Sequence, residues 1–145
     1  MTNATTVKPD IKAIARRTLE VDFPAADLDA VRANVTDDFA NTEAPPGTPT
    51  GPEGMVAIVT MLHSAFSDQR WEIHDVIAEG DLVLVHCTHH GRHTGDYFGL
   101  PATGRTFAYR QMHLVRFVGD RAVSHTAVRD DASHMRQLTA PATTD

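Results

Sequence analysis

The chain has 145 residues, with 13 Lys and Arg against 19 Asp and Glu, and a formal net charge of −6 at pH 7. This length is typical of one domain with a modest internal cavity, and the acidic balance disfavours nucleic acid and membranes as partners. There is no apolar run of about 18 residues and no basic and then apolar signal pattern, so a cytoplasmic location is expected. Cys87 is the single cysteine, which excludes an internal disulfide.

The first part of the chain has the apolar spacing of helices. Apolar residues recur three and four positions apart between Ile11 and Leu19, which predicts an amphipathic helix that Pro24 ends or kinks. A second helix is predicted from a narrower apolar stripe formed by Leu28, Val31 and Val35.

Residues 37–54 predict a long loop, because prolines and glycines are frequent in this segment. Its last residues predict the start of a third helix. Thr50 and Glu53 have capping-box spacing, and Pro52 falls in the first turn. The buried stripe of this helix is expected to contain Met55, Ile58, Val59, Leu62 and Phe66.

After Asp68 the apolar period changes from 3.6 to 2, which predicts strands. Residues 79–81 and 118–121 have the composition of hairpin turns, so neighbouring strands are expected to pair antiparallel. A short helix is predicted from Ala132 to Leu138. The alternating positions fall into four strands, marked by Trp71, Ile73 and Ile77, by residues 82–85, by residues 107–117 and by residues 123–129.

Helices followed by strands predict an α+β fold in which the helices pack on one face of a strongly curved antiparallel sheet. Residues 1–145 are expected to form one domain, with flexible tails at 1–9 and 139–145. Met112 and Leu114 lie on the opposite sheet face from His113, which suggests that a second copy of the chain covers that face.

Polar residues interrupt the apolar faces of the last two strands. Gln111 and His113 lie among Phe107, Tyr109, Val115 and Phe117, and on the next strand His125 and Arg129 share a face with Val123 and Ala127. Polar groups are costly to bury without hydrogen bonds, so their convergence on an apolar face suggests a small-molecule pocket. The alternative is that they face solvent or pair with one another structurally.

Three histidines lie close together at His89, His90 and His93, and raise the question of a metal site. Adjacent strand residues point to opposite faces, and His93 is expected in or near a turn after Gly91. The three imidazoles are therefore not expected to converge, and no metal site is predicted.

Several segments together resemble the SnoaL-like polyketide cyclases of the NTF2-like superfamily. They are "GPEGM", "IAEGDLVLV", "HTGDYFGLPATGR", "YRQMHLVRF" and "DDASHMRQL", in that order. The resemblance implies a cone-shaped α+β barrel around an apolar cavity, usually in a homodimer or larger homo-oligomer. It also implies ring closure by intramolecular aldol condensation of an apolar small-molecule substrate, without a metal or organic cofactor.

The resemblance implies roles for individual residues. Gln111 and His113 match a polar pair that lines the family's cavity, and Asn41 matches a cavity asparagine. Ala127 stands where these cyclases carry the aspartate that acts as base. Asp130 and Asp131 are not expected to replace it, because strand alternation turns Asp130 away from His125 and Asp131 begins the last helix.

Without that aspartate, His113 or His125 is expected to act as the base, with Gln111, Tyr109 and Arg129 as hydrogen-bond donors. The other expected substrate contacts are Asn41, Phe107, Tyr97, Phe98, Trp71 and Ala127. Packing is an equally good explanation for Tyr97 and Phe98, and a better one for Trp71.

The sequence thus predicts a cofactor-independent cyclase that acts on a polyketide or related intermediate, with the type of ring closure open. Two alternatives remain because the fold hosts many chemistries. One is another enzyme of the superfamily, such as a pathway hydroxylase partner, an isomerase or an epoxide-opening enzyme. The other is a protein that binds a small molecule without catalysis.

Overall fold

A computed structural model describes residues 7–141 of the chain. Most residues of the two predicted flexible tails lie outside the described range. The described part consists of helices packed on one open sheet of five strands, which confirms the α+β prediction. No helix in it is long and apolar enough to cross a membrane.

The first helical segment ends at Ala25, one residue after Pro24 and close to its predicted end. Helix α1, Ile11–Arg17, continues through a π-helical turn, Thr18–Asp22, into the short α2, Phe23–Ala25. Pro24 is the second residue of α2 and lies in its first turn, where its missing N–H costs no regular hydrogen bond. The chain leaves α2 at Ala26, which has a φ of 51°.

The second helix, α3, is shorter than predicted and spans Leu28–Ala33. Val35 is not part of its stripe. It begins strand β1, Val35–Asn41, which buries Val35 and Phe39 and pairs parallel with the last strand. The predicted loop therefore begins only after Asn41. Pattern analysis missed β1 because its partner strand lies more than eighty residues away along the chain.

Helix α4 spans Pro52–Ala65, close to its predicted start. Its N-cap is Gly51 rather than Thr50, and no side chain caps the helix. Gly51 has a φ of 78°, and a Cβ at this position would lie 2.4 Å from the carbonyl oxygen of Asp37. Phe66, predicted as the last residue of the helix stripe, is the first residue of strand β2, Phe66–Glu79.

The remaining strands are β3, Leu82–His93; β4, Thr106–Val118; and β5, Arg121–Arg129. Together with β2 they form the antiparallel part of the sheet, whose strand order is β1-β5-β4-β3-β2. The predicted turns are present at Gly80 and Gly119, which have φ values of 62° and 60°. Helix α5, Asp131–Thr139, follows the last strand as predicted.

Two bulges change which side chains face the helices. The pairing of β2 with β3 shifts between Ile73 and Asp75, so Val76 packs against the core and Ile77 is 60% exposed. A second shift lies in the pairing of β4 with β5, opposite Arg116 and Phe117. It turns Ala122 rather than Val123 toward the inner side of the sheet. Ile77 and Val123 were therefore assigned to the wrong face, because strict alternation does not reveal a bulge.

Candidate active site

A cavity of about 440 Å³ lies between the helices and the inner face of the sheet. This volume falls within the range of roughly 300–1,000 Å³ that is typical of small-molecule sites. Most of its wall is apolar, with contributions from Ile14, Leu19, Met55, Leu62, Val85, Val115 and Phe117. Polar side chains enter it mainly from β1, β4 and β5.

A continuous chain of hydrogen bonds crosses the polar part of the cavity. His125 Nδ1 lies 2.9 Å from Asn41 Oδ1, and His125 Nε2 lies 2.8 Å from His113 Nδ1. His113 Nε2 lies 2.7 Å from Gln111 Oε1, which also accepts a hydrogen bond from Trp71 Nε1 at 3.2 Å. Every polar side chain in this series of hydrogen bonds therefore has a partner, although the rest of the cavity wall is mostly apolar.

Strand register explains why these residues meet. Gln111 and His113 are two positions apart on β4 and point to the same side. β5 pairs with β4 and brings His125 next to His113, and the parallel pairing of β1 with β5 places Asn41 opposite His125. Three strands thus assemble the site.

Burial favours the neutral form of both histidines. It lowers the pKa of His113 well below the ordinary value of 6.5, and it lowers the pKa of His125 to about 4. The positive charge of Arg129 lowers both values further, whereas Glu43 acts in the opposite direction on His125. At neutral pH the pair is uncharged and therefore able to accept a proton.

Three charged side chains line the cavity: Arg129, Glu43 and Asp131. Within residues 7–141 the Arg129 guanidinium makes no ion pair, so its donors are available to an oxygen in the cavity. Tyr97 also lines the cavity, and its pKa is raised by burial and by the charge of Asp131.

A layer of stacked rings supports the polar chain. The Trp71 indole stacks on His89 with ring centroids 4.1 Å apart, and Tyr109 stacks on His134 at 4.0 Å. His89 Nε2 lies 3.0 Å from Gln69 Oε1, and burial lowers the pKa of His89 to about 3.

Comparison with known proteins shows the family of this chain. The family model for the SnoaL-like polyketide cyclases matches residues 13–138. The chain belongs to the SnoaL-like polyketide cyclase family. This confirms the resemblance found in the sequence motifs.

Relatives and a solved structure extend the match. Aklanonic acid methyl ester cyclase DauD from Streptomyces sp. (strain C5) is 33% identical over 132 residues, which cover 88% of this chain and 81% of DauD. Aklanonic acid methyl ester cyclase DnrD from Streptomyces peucetius is 38% identical over 92 residues, which span 63% of each chain. The structure of TsrD from Streptomyces laurentii has the same fold, with a TM-score of 0.82, 23% identity and coverage of 90% of this chain and 96% of that one. The family and the named relatives support assignment as a polyketide cyclase.

In this SnoaL-like protein most residues predicted for the site do face one cavity. They are Asn41, Trp71, Tyr97, Phe98, Tyr109, Gln111, His113, His125 and Arg129. Phe98 lies at the rim, with 68% of its surface exposed and a φ of 48°. The roles of these residues in binding or catalysis stay predictions.

Two predicted contacts do not line the cavity. Phe107 packs in a second apolar cluster with Phe66 and Leu138, because Gly91 opposite it leaves room for the ring. Ala127 is buried and pairs with His113 in the sheet, but it does not line the cavity.

The cluster of three histidines also differs from expectation. His89 and His90 point to opposite sides as predicted, and His93 is the last residue of β3, where it is fully buried. His89 lines the cavity, and its role was missed because a metal site was the only function considered for it. In the described part of the chain, no three His, Cys, Asp or Glu side chains are grouped as metal ligands.

Asp131 is a further cavity residue that pattern analysis set aside. It is the first residue of α5, as predicted, yet it lines the cavity. Its position depends on how α5 packs across β4 beside Tyr97, and strand alternation carries no information about that packing.

Proposed function

We propose that this protein closes a ring in the methyl ester of a polyketide acid, with the His113–His125 pair as the proton acceptor. The observation that carries the proposal is the buried hydrogen-bonded chain from Asn41 to Gln111 in an apolar cavity. Each ring of a neutral imidazole pair keeps a nitrogen lone pair, which a general base needs to accept a proton.

The reaction needs two kinds of groups. The base removes a proton from a carbon next to a carbonyl group, and the resulting enolate carbon attacks a second carbonyl carbon in the same molecule. One C–C bond forms, the second carbonyl oxygen takes up the proton, and the mass is unchanged. Arg129 faces the cavity and supplies hydrogen-bond donors for the developing oxygen charge.

The apolar wall contributes by holding the substrate in a folded conformation. A flexible polyketide chain confined between α1, α4 and the sheet has fewer orientations, so the two reacting carbons meet more often. The named substrates of DauD and DnrD are esters of a polyketide acid, which supports the same substrate class here. Ala127 leaves the family's aspartate position without a carboxylate, and this proposal gives the role of base to the histidines.

The test uses aklanonic acid methyl ester and the purified full-length protein. We expect a product of unchanged mass that forms faster than in buffer, measured by liquid chromatography with mass spectrometry. The matched control for the His113→Ala variant is His86→Ala, since His86 lies on the outer face of β3 and pairs with Asp75. The His86→Ala protein is expected to retain the activity.

Other results would contradict the proposal in distinct ways. A product heavier by one oxygen would indicate a hydroxylase partner. Binding of the ester without any faster reaction would indicate a binding protein, and a rate that is the same with His113→Ala as with the wild type would exclude the histidine pair as the base.

A homodimer is the second part of the proposal, supported by the outer face of the sheet. Met112 and Val128 are paired across β4 and β5, Leu114 is their neighbour, and all three are exposed apolar residues. A contiguous apolar patch on a sheet face is typical of subunit contacts.

Leu114→Glu is expected to convert the dimer into a monomer, because a carboxylate in the centre of an apolar contact loses its hydration. Light scattering after size-exclusion chromatography measures the mass. Val21→Glu, an exposed apolar position on the π-helical turn, is the control and is expected to stay dimeric. A monomeric wild type would refute this part of the proposal.

A further inference from the structure

The amide of Gln111 has a fixed orientation. The indole N–H of Trp71, which only donates, points at Gln111 Oε1 from 3.2 Å, and the Cys87 thiol points at the same oxygen from 3.9 Å. Burial raises the pKa of Cys87 to about 12, so the thiol keeps its proton. The Gln111 oxygen therefore faces His113, and His113 Nε2 meets an acceptor.

The amide of Asn41 at the other end is oriented in the same sense. The backbone N–H of Glu43 donates to Asn41 Oδ1 at 3.0 Å, so this oxygen also faces the histidine pair. The two ends differ in burial. Gln111 is 4% exposed, whereas Asn41 is the partly exposed last residue of β1.

Protons can be counted along this chain. Each of its three links, Asn41 to His125, His125 to His113 and His113 to Gln111, needs one proton, because both end atoms only accept. Two neutral imidazoles carry only two protons. A neutral pair therefore leaves one link without a proton, and the complete chain carries one positive charge.

The buried end determines which link is incomplete. If His113 Nε2 lacked a proton, two lone pairs would face each other at 2.7 Å, and the donors on Gln111 Oε1 would prevent the amide from turning. With the proton on Nε2, His113 Nδ1 is an acceptor, so His125 Nε2 must donate to it. The unprotonated atom is then Nδ1 of His125, opposite the less buried Asn41.

We propose that Trp71 is a positioning residue that acts through Gln111 and His113 to make Nδ1 of His125 the basic atom of the cavity. The role of this atom in ring closure rests on the proposed function, whereas the tautomers inferred for His113 and His125 do not. In the reaction a substrate C–H bond breaks, its electron pair stays on the enolate, and the proton bonds to His125 Nδ1. With this third proton, each of the three hydrogen-bond links has a proton, and the two imidazole rings share the positive charge.

The charged neighbours agree with this choice of atom. Arg129 opposes a positive charge on either histidine. Glu43 favours a positive charge at His125. Of the two rings, His125 therefore has the environment that better accepts a proton.

The experiment is a long-range proton–nitrogen NMR spectrum of the ¹⁵N-labelled full-length protein at neutral pH, which needs no substrate. Single substitutions of His113 and His125 assign the two rings. We expect both to be neutral with the proton on Nε2. A proton on Nδ1 of either ring would overturn the proposal.

Trp71→Phe removes the indole donor and keeps an aromatic ring at the position. We expect both histidines to lose their single tautomer and to show mixed Nδ1–H and Nε2–H signals. Phe23→Leu is the control, since Phe23 packs edge-on against Trp71 at 5.6 Å but makes no polar contact with it, and both tautomers should persist. Unchanged tautomers in Trp71→Phe would overturn the proposal.

A second variant covers the case in which Trp71→Phe does not fold. Gln111→Met removes the acceptor and keeps an unbranched side chain, and we expect the same mixture of tautomers. A single Nε2–H form in this variant would also overturn the proposal. Failure of the ring-closure assay with the predicted tautomers present would count against the proposed function alone.

Discussion

Replacing His125 with alanine is expected to lower kcat for ring closure by on the order of 10²- to 10⁴-fold, the usual loss when a general base is removed. His125 and His113 share the polar chain, but the basic nitrogen inferred above belongs to His125. Its removal also takes away the contact that His125 makes with Asn41 Oδ1 and with His113 Nδ1. The measurement is the single-turnover rate of isomeric product formation with aklanonic acid methyl ester.

His86→Ala again serves as the control for the loss of an imidazole, because His86 lies on the outer face of the sheet. We expect its rate to match that of the wild type. A His125→Ala protein with wild-type kcat would show that the proton goes elsewhere, and Asp131 would then be the carboxylate to test, since it lines the cavity. A circular dichroism spectrum of each variant checks that the fold is retained.

The free energy of unfolding is expected to fall steeply as the pH is lowered from about 6.5 to about 4. Burial lowers the pKa of His125 and of His134 to about 4 and that of His89 to about 3, and it lowers the pKa of His113 well below 6.5. In the unfolded chain these groups bind protons below about pH 6.5, whereas in the folded protein they do not until the pH is much lower. Stability is therefore complete above pH 6.5 and is lost as the pH falls through this window.

The size of the effect is large for a single domain. A shift of the His125 pKa from 6.5 to about 4 corresponds to about 3 kcal/mol when the full window is crossed. Urea denaturation at several pH values between 7 and 4 measures the loss. His125→Gln should make the dependence on pH shallower.

A constant free energy of unfolding from pH 7 to pH 4.5 would contradict the prediction. It would mean that the buried histidines accept protons as readily in the folded protein as in the unfolded chain. The same buried imidazoles are thus expected to support catalysis at neutral pH and to weaken the fold in acid.

Local pattern was sufficient for much of the sheet. Gln111 and His113 were placed on one face with Tyr109 because β4 is a regular strand, and side chains in such a strand alternate. The turns at Gly80 and Gly119 were recognised from composition, since a hairpin turn needs residues that adopt positive φ. These features depend only on residues that are close along the chain.

Local pattern failed where a single residue, such as the extra residue of a bulge, changes which side chains face the core. The bulge in β2 exposes Ile77, and the bulge in β5 exchanges Val123 for Ala122. Phe107 was assigned to the cavity from alternation alone. Gly91 has no side chain, so the Phe107 ring packs over it in a separate cluster. In each case the deciding contact comes from the neighbouring strand.

The sequence by itself determined the α+β class, the family and most of the polar residues that enter the cavity, because these follow from periodicity and from ordered motifs. Only the tertiary structure decided that β1 is a strand parallel to β5, and hence that Asn41 meets His125. It also decided that Trp71 holds the oxygen of Gln111. The physical reason is that a hydrogen bond between distant segments depends on strand register and packing, so the choice of the basic nitrogen lies in contacts that no local pattern records.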